Sequence, residues 1–128
     1  MEILNLLTGI QHVGIPTNDI KRTIEFYERL GFNVALVTQN GQQSVAFMQL
    51  KNLVMEFYEC DASNIQNGAI DHFAIDVKDI DKVFEFVKSL GVELLNQEVQ
   101  ALPFWEKEVR FFTIVGPNNE KIEFCERL

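Results

Sequence analysis

The chain has two histidines, and both stand at the same place in a repeated segment. His12 lies in Ile10-Gln11-His12-Val13-Gly14-Ile15, and His72 lies sixty residues later in Ile70-Asp71-His72-Phe73-Ala74-Ile75. Two glutamates recur in a matching way. Glu56 interrupts the apolar stretch Leu53-Val54-Met55-Glu56-Phe57-Tyr58, and Glu123 stands in Lys121-Ile122-Glu123-Phe124-Cys125. Neutral imidazole nitrogens and carboxylate oxygens are ligands for divalent first-row metal ions. An unpaired buried carboxylate is costly, so a mid-strand glutamate faces either water or a cation. A single histidine in a strand is ordinarily just hydrogen-bonded or solvated. Recurrence at the duplicate position, with matched glutamates, is what points to a metal site. If the repeats pack about a pseudo-two-fold axis, the two imidazoles come together there, and the face with the glutamates must form a concave pocket.

The register of the repeat continues past the histidines. Asp19 matches Asp79, Ile20 matches Ile80, Glu25-Phe26 matches Glu85-Phe86, and Leu30-Gly31 matches Leu90-Gly91. A duplicated supersecondary unit follows. In the first copy, residues 10–16 alternate as a strand with His12 and Gly14 on one face. Asn18 or Asp19 then caps a helix whose apolar Ile20, Ile24, Tyr27 and Leu30 keep helical spacing, and Gly31 stops it. Residues 32–38 and 44–49 form a hairpin around Asn40-Gly41, a type I′ signal. Lys51-Asn52 turns the chain into a strand over 53–58. In that strand Val54, Glu56 and Tyr58 share one face, while Met55 and Phe57 face the helices.

Polar residues 59–68 read as the connection between copies. The second copy gives a strand over 70–77, a helix capped by Asp79 and stopped by Gly91, and an extended piece over 92–95. A long connection over 96–107 replaces the hairpin, and strands over 109–115 and 121–126 flank Gly116-Pro117-Asn118-Asn119. Phe84 and Val87 are core residues of the second helix. The order βαβββ thus appears twice, which places the chain in the α+β class. Residues 1–128 make one domain, with module one at about 8–60 and module two at about 68–128.

Composition narrows the functional classes. With 128 residues the chain can bury a core, and 47% hydrophobic content with eleven phenylalanines suits a packed domain. A formal charge of −8 and the lack of a basic patch oppose nucleic-acid binding. Met1-Glu2-Ile3-Leu4 lacks the positive start of a signal peptide, and no apolar run is long enough to span a membrane. Cys60 and Cys125 do not make a disulfide framework, which fits a cytoplasmic location with reduced thiols.

The segments Ile10-Gln11-His12-Val13-Gly14-Ile15, Phe26-Tyr27-Glu28-Arg29-Leu30-Gly31-Phe32, Asp71-His72-Phe73-Ala74 and Gly116-Pro117-Asn118-Asn119-Glu120-Lys121-Ile122-Glu123 resemble, in order and spacing, the vicinal oxygen chelate superfamily. The resemblance runs from about Ile10 to Glu126. It implies the glyoxalase/bleomycin resistance/dioxygenase-like fold, in which paired βαβββ modules wrap a divalent metal. Within the superfamily the chain is most similar to the glyoxalase I (lactoylglutathione lyase) family, associated with methylglyoxal detoxification. That family takes one ligand from the first strand and one from the last strand of each module, which here implies His12, Glu56, His72 and Glu123. Extradiol dioxygenases use two histidines and one glutamate, so Glu56 separates this chain from them.

The resemblance implies one divalent metal per site (Ni, Zn or Co, with Mn or Fe as alternatives) and a homodimer whose sites lie at the interface. It also implies a catalytic pair, with Glu123 as ligand and proton shuttle and Glu56 in the related place. A proton would leave the carbon beside a chelated carbonyl and return to its neighbour, converting a hemithioacetal of a 2-oxoaldehyde to a 2-hydroxy thioester. Return to the same carbon would make the protein an acyl-CoA epimerase, and a site without metal would make it a small-molecule-sequestering resistance protein. Glutathione-dependent relatives have an arginine near Pro16 and an asparagine at Cys60, so the thiol partner here is left open. Gly116-Pro117-Asn118-Asn119 replaces the family's Asp-Pro-(Asp/Asn)-Gly, a mild structural change. Tyr58, Phe104 and Trp105 are the substrate-contact candidates, and Cys125 reads as a small wall residue.

Overall fold

The computed structural model describes residues 3–6, 8, 10–61, 68 and 70–128. After a short 3-10 turn at Ile3–Asn5, the first half runs β1 (Val13–Thr17), α1 (Ile20–Arg29), β2 (Asn33–Asn40), β3 (Gln43–Leu50) and β4 (Leu53–Glu59). The second half runs β5 (His72–Asp76), α2 (Ile80–Ser89), β6 (Glu93–Leu94), β7 (Gln100–Leu102), β8 (Val109–Val115) and β9 (Lys121–Arg127). The first sheet has the order β1-β4-β3-β2 and the second β5-β9-β8-β6, with β7 also paired to β8. In each sheet the opening strand pairs in parallel with the closing one, and the helix supplies the crossover. The connection expected over 59–68 falls mostly on residues 62–67, which lie outside the described residues.

The two helices start and stop for the same reasons. Asp19 accepts a hydrogen bond from the Arg22 N–H and Asp79 from that of Lys82, each filling the cap role. Gly31 (φ +100°) and Gly91 (φ +73°) take the left-handed conformation that ends each helix. A second device ties helix to sheet. Glu59, at the end of β4, accepts from the Ile20 N–H at 3.0 Å, and Glu126 of β9 accepts from those of Asp79 and Ile80 at 3.1 and 3.0 Å. These carboxylates satisfy free amides at the positive end of each helix.

Three expectations need correction. Strand β1 begins at Val13 and β5 at His72, later than the alternation suggested. Their parallel partners begin at Leu53 and Lys121, so residues before His12 and His72 have little or no ladder to join. The hairpin turns at Gly41-Gln42, because Asn40 stays in β2 and pairs with Gln43. Only Gly41 has positive φ there, so the two left-handed residues of a type I′ turn are not present. The long connection of the second half contains an additional strand, β7, which strengthens the β8 edge.

One core joins the halves. Tyr27, Met48, Met55 and Phe57 pack in the same cluster as Ile80, Phe84, Val87, Phe112, Ile114 and Ile122. Met55 and Phe57 face inward as the alternation of β4 requires, and Ile122 and Phe124 do so on β9. A buried polar chain crosses the junction. Tyr27 of α1 donates its phenolic proton to Glu120 Oε2 at 2.9 Å, and the Asn118 N–H donates to Glu120 Oε1 at 2.7 Å. The Asn118 side-chain amide donates to Thr23 Oγ1 at 2.9 Å, and Thr23 in turn bonds the Thr17 hydroxyl at 3.0 Å. Gly116 makes room for this arrangement, since a Cβ there would overlap the Glu120 carboxylate. Gly116 and the Glu120 carboxylate therefore belong together.

Burial raises Glu120 above its ordinary carboxylate value and, with the neighbouring Glu120 charge, raises the Tyr27 phenol well above its own. The folded chain holds the Glu120 proton more tightly than the unfolded chain. This contribution to stability is complete below the ordinary value and is lost as pH rises through the raised one. Above that pH the Tyr27 hydrogen bond offsets part of the cost of a buried charge. Tyr27→Phe is expected to lower unfolding stability by about 1–3 kcal/mol at neutral pH. Denaturant titrations of parent and variant should show a smaller difference near pH 4, where Glu120 is protonated in both folded and unfolded chains.

Candidate metal centre

The register of each sheet puts a histidine and a glutamate side by side. Gly14 pairs with Glu56 across β1 and β4, and Ala74 pairs with Glu123 across β5 and β9. His12 and His72 stand two residues before those small partners, on the same face. A Cβ at Gly14 would lie 3.6 Å from Glu56 Oε1, an ordinary contact, so Gly and Ala are both small enough to let the carboxylate lean toward the imidazole. His12 Nε2 lies 3.4 Å from Glu56 Oε1, and His72 Nε2 lies 3.9 Å from Glu123 Oε1. All four side chains are partly open to solvent.

The other ring nitrogen of each histidine is engaged. His12 Nδ1 is 3.0 Å from Gln11 Oε1, and His72 Nδ1 is 2.9 Å from Asp71 Oδ2. Both partners are acceptors, so Nδ1 must be the donor, and a neutral ring then presents an Nε2 lone pair to a carboxylate oxygen. Two lone pairs facing each other repel unless a proton or cation lies between them. A 3.4 Å gap is the span of two ligands each about 2.1 Å from one ion at a tetrahedral angle. The donor set therefore fits a divalent metal, and Gln11 and Asp71 hold the imidazoles in the way that outer partners hold the ligands of a metal site.

Gln11, Asp71 and Lys121 were missed by the sequence reading. The signal was a hydrogen-bond acceptor directly before each histidine. Lys121 reaches Asp71 Oδ1 at 2.9 Å, so Asp71 bridges a cation and an imidazole. The hydrogen bond from His72, followed by that from Lys121, holds the Asp71 carboxyl below its ordinary value. Burial, followed by the charges of Glu123 and Asp76, pushes the Cys125 thiol up, which disfavours the free thiolate.

The two pairs do not merge within one chain. Among the described residues, no group of three or more His, Cys, Asp or Glu side chains could hold a metal ion. The imidazoles expected to meet at the axis instead belong to two half-sites, one per sheet. His12 borders a cleft of about 480 Å³ with Val54 and Asp76, and His72 borders one of about 350 Å³ with Ile10 and Lys121. A further cleft of about 810 Å³, between α1 and the Gly91 and Gly116 turns, contains none of the four residues.

Of the substrate-contact candidates, Tyr58 lies on the Glu56 face of β4, two residues along. Phe104 and Trp105 lie between β7 and β8 and are exposed. Among the described residues no helix is long and apolar enough to cross a membrane.

Residues 9–101 match the family model of the Glyoxalase/Bleomycin resistance protein/Dioxygenase superfamily, and the chain belongs to that family. It is 29% identical over 125 residues to protein YwbC of Bacillus subtilis, covering 92% of this chain and 97% of that one. It is 26% identical over 94 residues to the fosfomycin resistance protein FosX of Listeria monocytogenes, covering 70% of each. A bleomycin resistance protein of Geobacillus stearothermophilus is 24% identical over 130 residues, with 89% and 93% covered. Among solved structures, a glyoxalase family protein from Enterococcus faecalis superposes with a TM-score of 0.80 at 21% identity, covering 94% of this chain and 99% of that one. Listeria FosX, solved with Mn(II) and a sulfate ion, superposes with a TM-score of 0.73 at 16% identity, covering 95% and 94%. Both share the fold. The superfamily includes enzymes as well as proteins that are not.

The orienting role of Gln11 and Asp71 is open to a direct test, because the chain has only two imidazoles. Nitrogen-15 NMR at mildly alkaline pH should show both rings as the Nδ1–H tautomer. Gln11→Ala and Asp71→Ala should each return only the adjacent ring toward the Nε2–H form favoured in free imidazoles.

Proposed function

We infer that this protein is a metal-dependent lyase or isomerase of the glyoxalase I type, working as a homodimer. In this reading His12 and Glu56 of one protomer meet His72 and Glu123 of a second copy around one divalent ion. The carrying observation is the pair of matched half-sites, each with Nε2 aimed at a carboxylate and Nδ1 tied down. A half-site with two protein ligands is incomplete, and a second chain supplies the other two by symmetry. The open sheet faces support the same arrangement, since β2 is exposed along its length and Leu36 and Val37 meet solvent. FosX, a relative of similar fold, was solved with Mn(II), which supports a divalent ion without fixing its identity.

A divalent ion bound there would act as a Lewis acid on a chelated carbonyl and acidify the neighbouring C–H. Glu123 then has the place to accept that proton and return it to the adjacent carbon, with Glu56 opposite. Tyr58 and Phe47 give the first module's face an aromatic wall, and His12 meets Phe47 edge-on at 5.8 Å between ring centroids. Thiol hemithioacetals of 2-oxoaldehydes are the substrate class this chemistry fits, with the thiol unassigned. Return of the proton to its original carbon is the epimerase variant of the same site.

Metal analysis and subunit mixing test this reading. The parent should hold close to one Ni, Zn, Co or Mn per protomer after reconstitution, and Glu123→Gln should hold much less. With hemithioacetal substrates, Glu123→Gln should lower turnover by about 10²- to 10⁴-fold. His12→Ala and His72→Ala should each lose the metal alone. Refolding them together should restore about a quarter of the parent's metal, because one of the two sites in each mixed dimer is intact. Absence of metal in the reconstituted parent would leave a sequestering protein on the same fold, as the bleomycin resistance relative suggests.

A further inference from the structure

We propose that Arg127 and Trp105 form a distal anion-binding subsite on the open face of the second sheet. Its ligand would be a carboxylate or phosphate group at the far end of the substrate or of its thiol partner. The inference rests on the proposed site for its near end, but the subsite itself is built from residues that do not touch metal.

The alternation of β9 fixes the direction. Ile122 and Phe124 are buried, and Glu126 turns to cap α2, so Lys121, Glu123, Cys125 and Arg127 share the opposite face. Arg127 follows Glu123 by four strand residues, which is about 13 Å along the strand. Register pairing sets Phe111 beside Cys125 and Thr113 beside Glu123, so the path from the candidate ligand to the guanidinium has an apolar middle.

The charge on this face is uneven. Lys121 is neutralised by Asp71 at 2.9 Å. Arg127 forms no ion pair among the described residues. Its guanidinium carbon lies 4.1 Å from the centroid of the Trp105 ring. A guanidinium held over an aromatic ring makes no hydrogen bond to it, so its N–H donors stay available to an oxyanion, which such a fork can receive in two parallel hydrogen bonds. The open face of the first sheet, with Val54, Glu56 and Tyr58 on β4, brings no cation of its own. In a chain with net charge −8, an arginine on the candidate site face with no ion pair among the described residues is a local attraction for an anion.

Trp105 carries a second, independent mark. Its φ is +65°, in the left-handed region that a bulky side chain adopts only at a cost. The residue is nonetheless 69% exposed, so burial does not offset that cost. What the strained turn achieves is the placement of the ring over Arg127.

Trp105 is the only tryptophan in the chain, so its fluorescence reports on this subsite alone. The full-length protein, both stripped of metal and loaded with Mn(II), is titrated with glutarate and with inorganic phosphate at constant ionic strength. A saturable fluorescence change with either probe is expected, present in the metal-free protein. Arg127→Gln should weaken the apparent affinity at least tenfold, and Arg127→Lys, which keeps the charge but loses the fork, should fall between. Which probe binds tells a carboxylate ligand from a phosphate one. No saturable change, or the same affinity in Arg127→Gln, overturns the subsite. Metal content measured on the same samples is expected to be equal in parent and variants. Failure of the metal site would appear there instead, with anion binding intact.

Discussion

The closing strand of each sheet carries two obligations at once, and the rest of the fold depends on how it meets them. β4 presents Glu56 to the open face and, three residues on, Glu59 to the first helix. β9 does the same with Glu123 and Glu126. An odd separation on a strand sends the two carboxylates to opposite faces. The helix-side glutamate is held by amides at the start of the crossover helix, so the register of strand against helix is pinned. The ligand-side glutamate inherits that precision. A slip of one residue would bury Glu56 or Glu123 in the core and expose Met55 or Ile122, which the cost of burying a free charge forbids.

The parallel pairing supplies the other half of the geometry. Because β1 and β5 begin only where β4 and β9 offer a ladder, each histidine sits at the opening edge of its sheet. There its ring is partly free to solvent and needs a local hydrogen bond for orientation. Gln11 and Asp71 provide it from the neighbouring position. Each sheet thus brings one imidazole and one carboxylate within 3.4 to 3.9 Å on its open face, held from both sides by local hydrogen bonds and strand register.

Much of this was legible in the sequence because it follows from periodicity and duplication. The repeat of His12 at His72, the helix caps at Asp19 and Asp79, and the alternation around Glu56 and Glu123 all depend on local spacing. What escaped depends on contacts between distant segments. Strand β7 was hidden because Gln100-Ala101-Leu102 is too short to show a pattern and exists only by pairing with β8. The turn at Gly41-Gln42 was displaced from Asn40-Gly41 because pairing of Asn40 with Gln43 outweighed the local preference of Asn-Gly. The Tyr27–Glu120 bond spans the two halves, and no spacing rule connects residues so far apart. The contact between Arg127 and Trp105 likewise joins a strand end to the 103–108 loop, which no spacing rule connects.

The two halves carry the same histidine and glutamate while their surroundings differ. Opposite the matched ligands, the first half offers Gly14, Val54 and Tyr58, and the second offers Ala74, Lys121 and Cys125. Gln11 orients its histidine as a neutral acceptor, whereas Asp71 does so as an anion already shared with Lys121. The two imidazoles are therefore oriented by groups of unlike charge, and Lys121 stands on the same strand face as Glu123 while Val54 holds the matching place beside Glu56. Duplication gives a symmetric frame, and two substitutions beside it, Asp for Gln and Lys for Val, are enough to make its two faces chemically unequal.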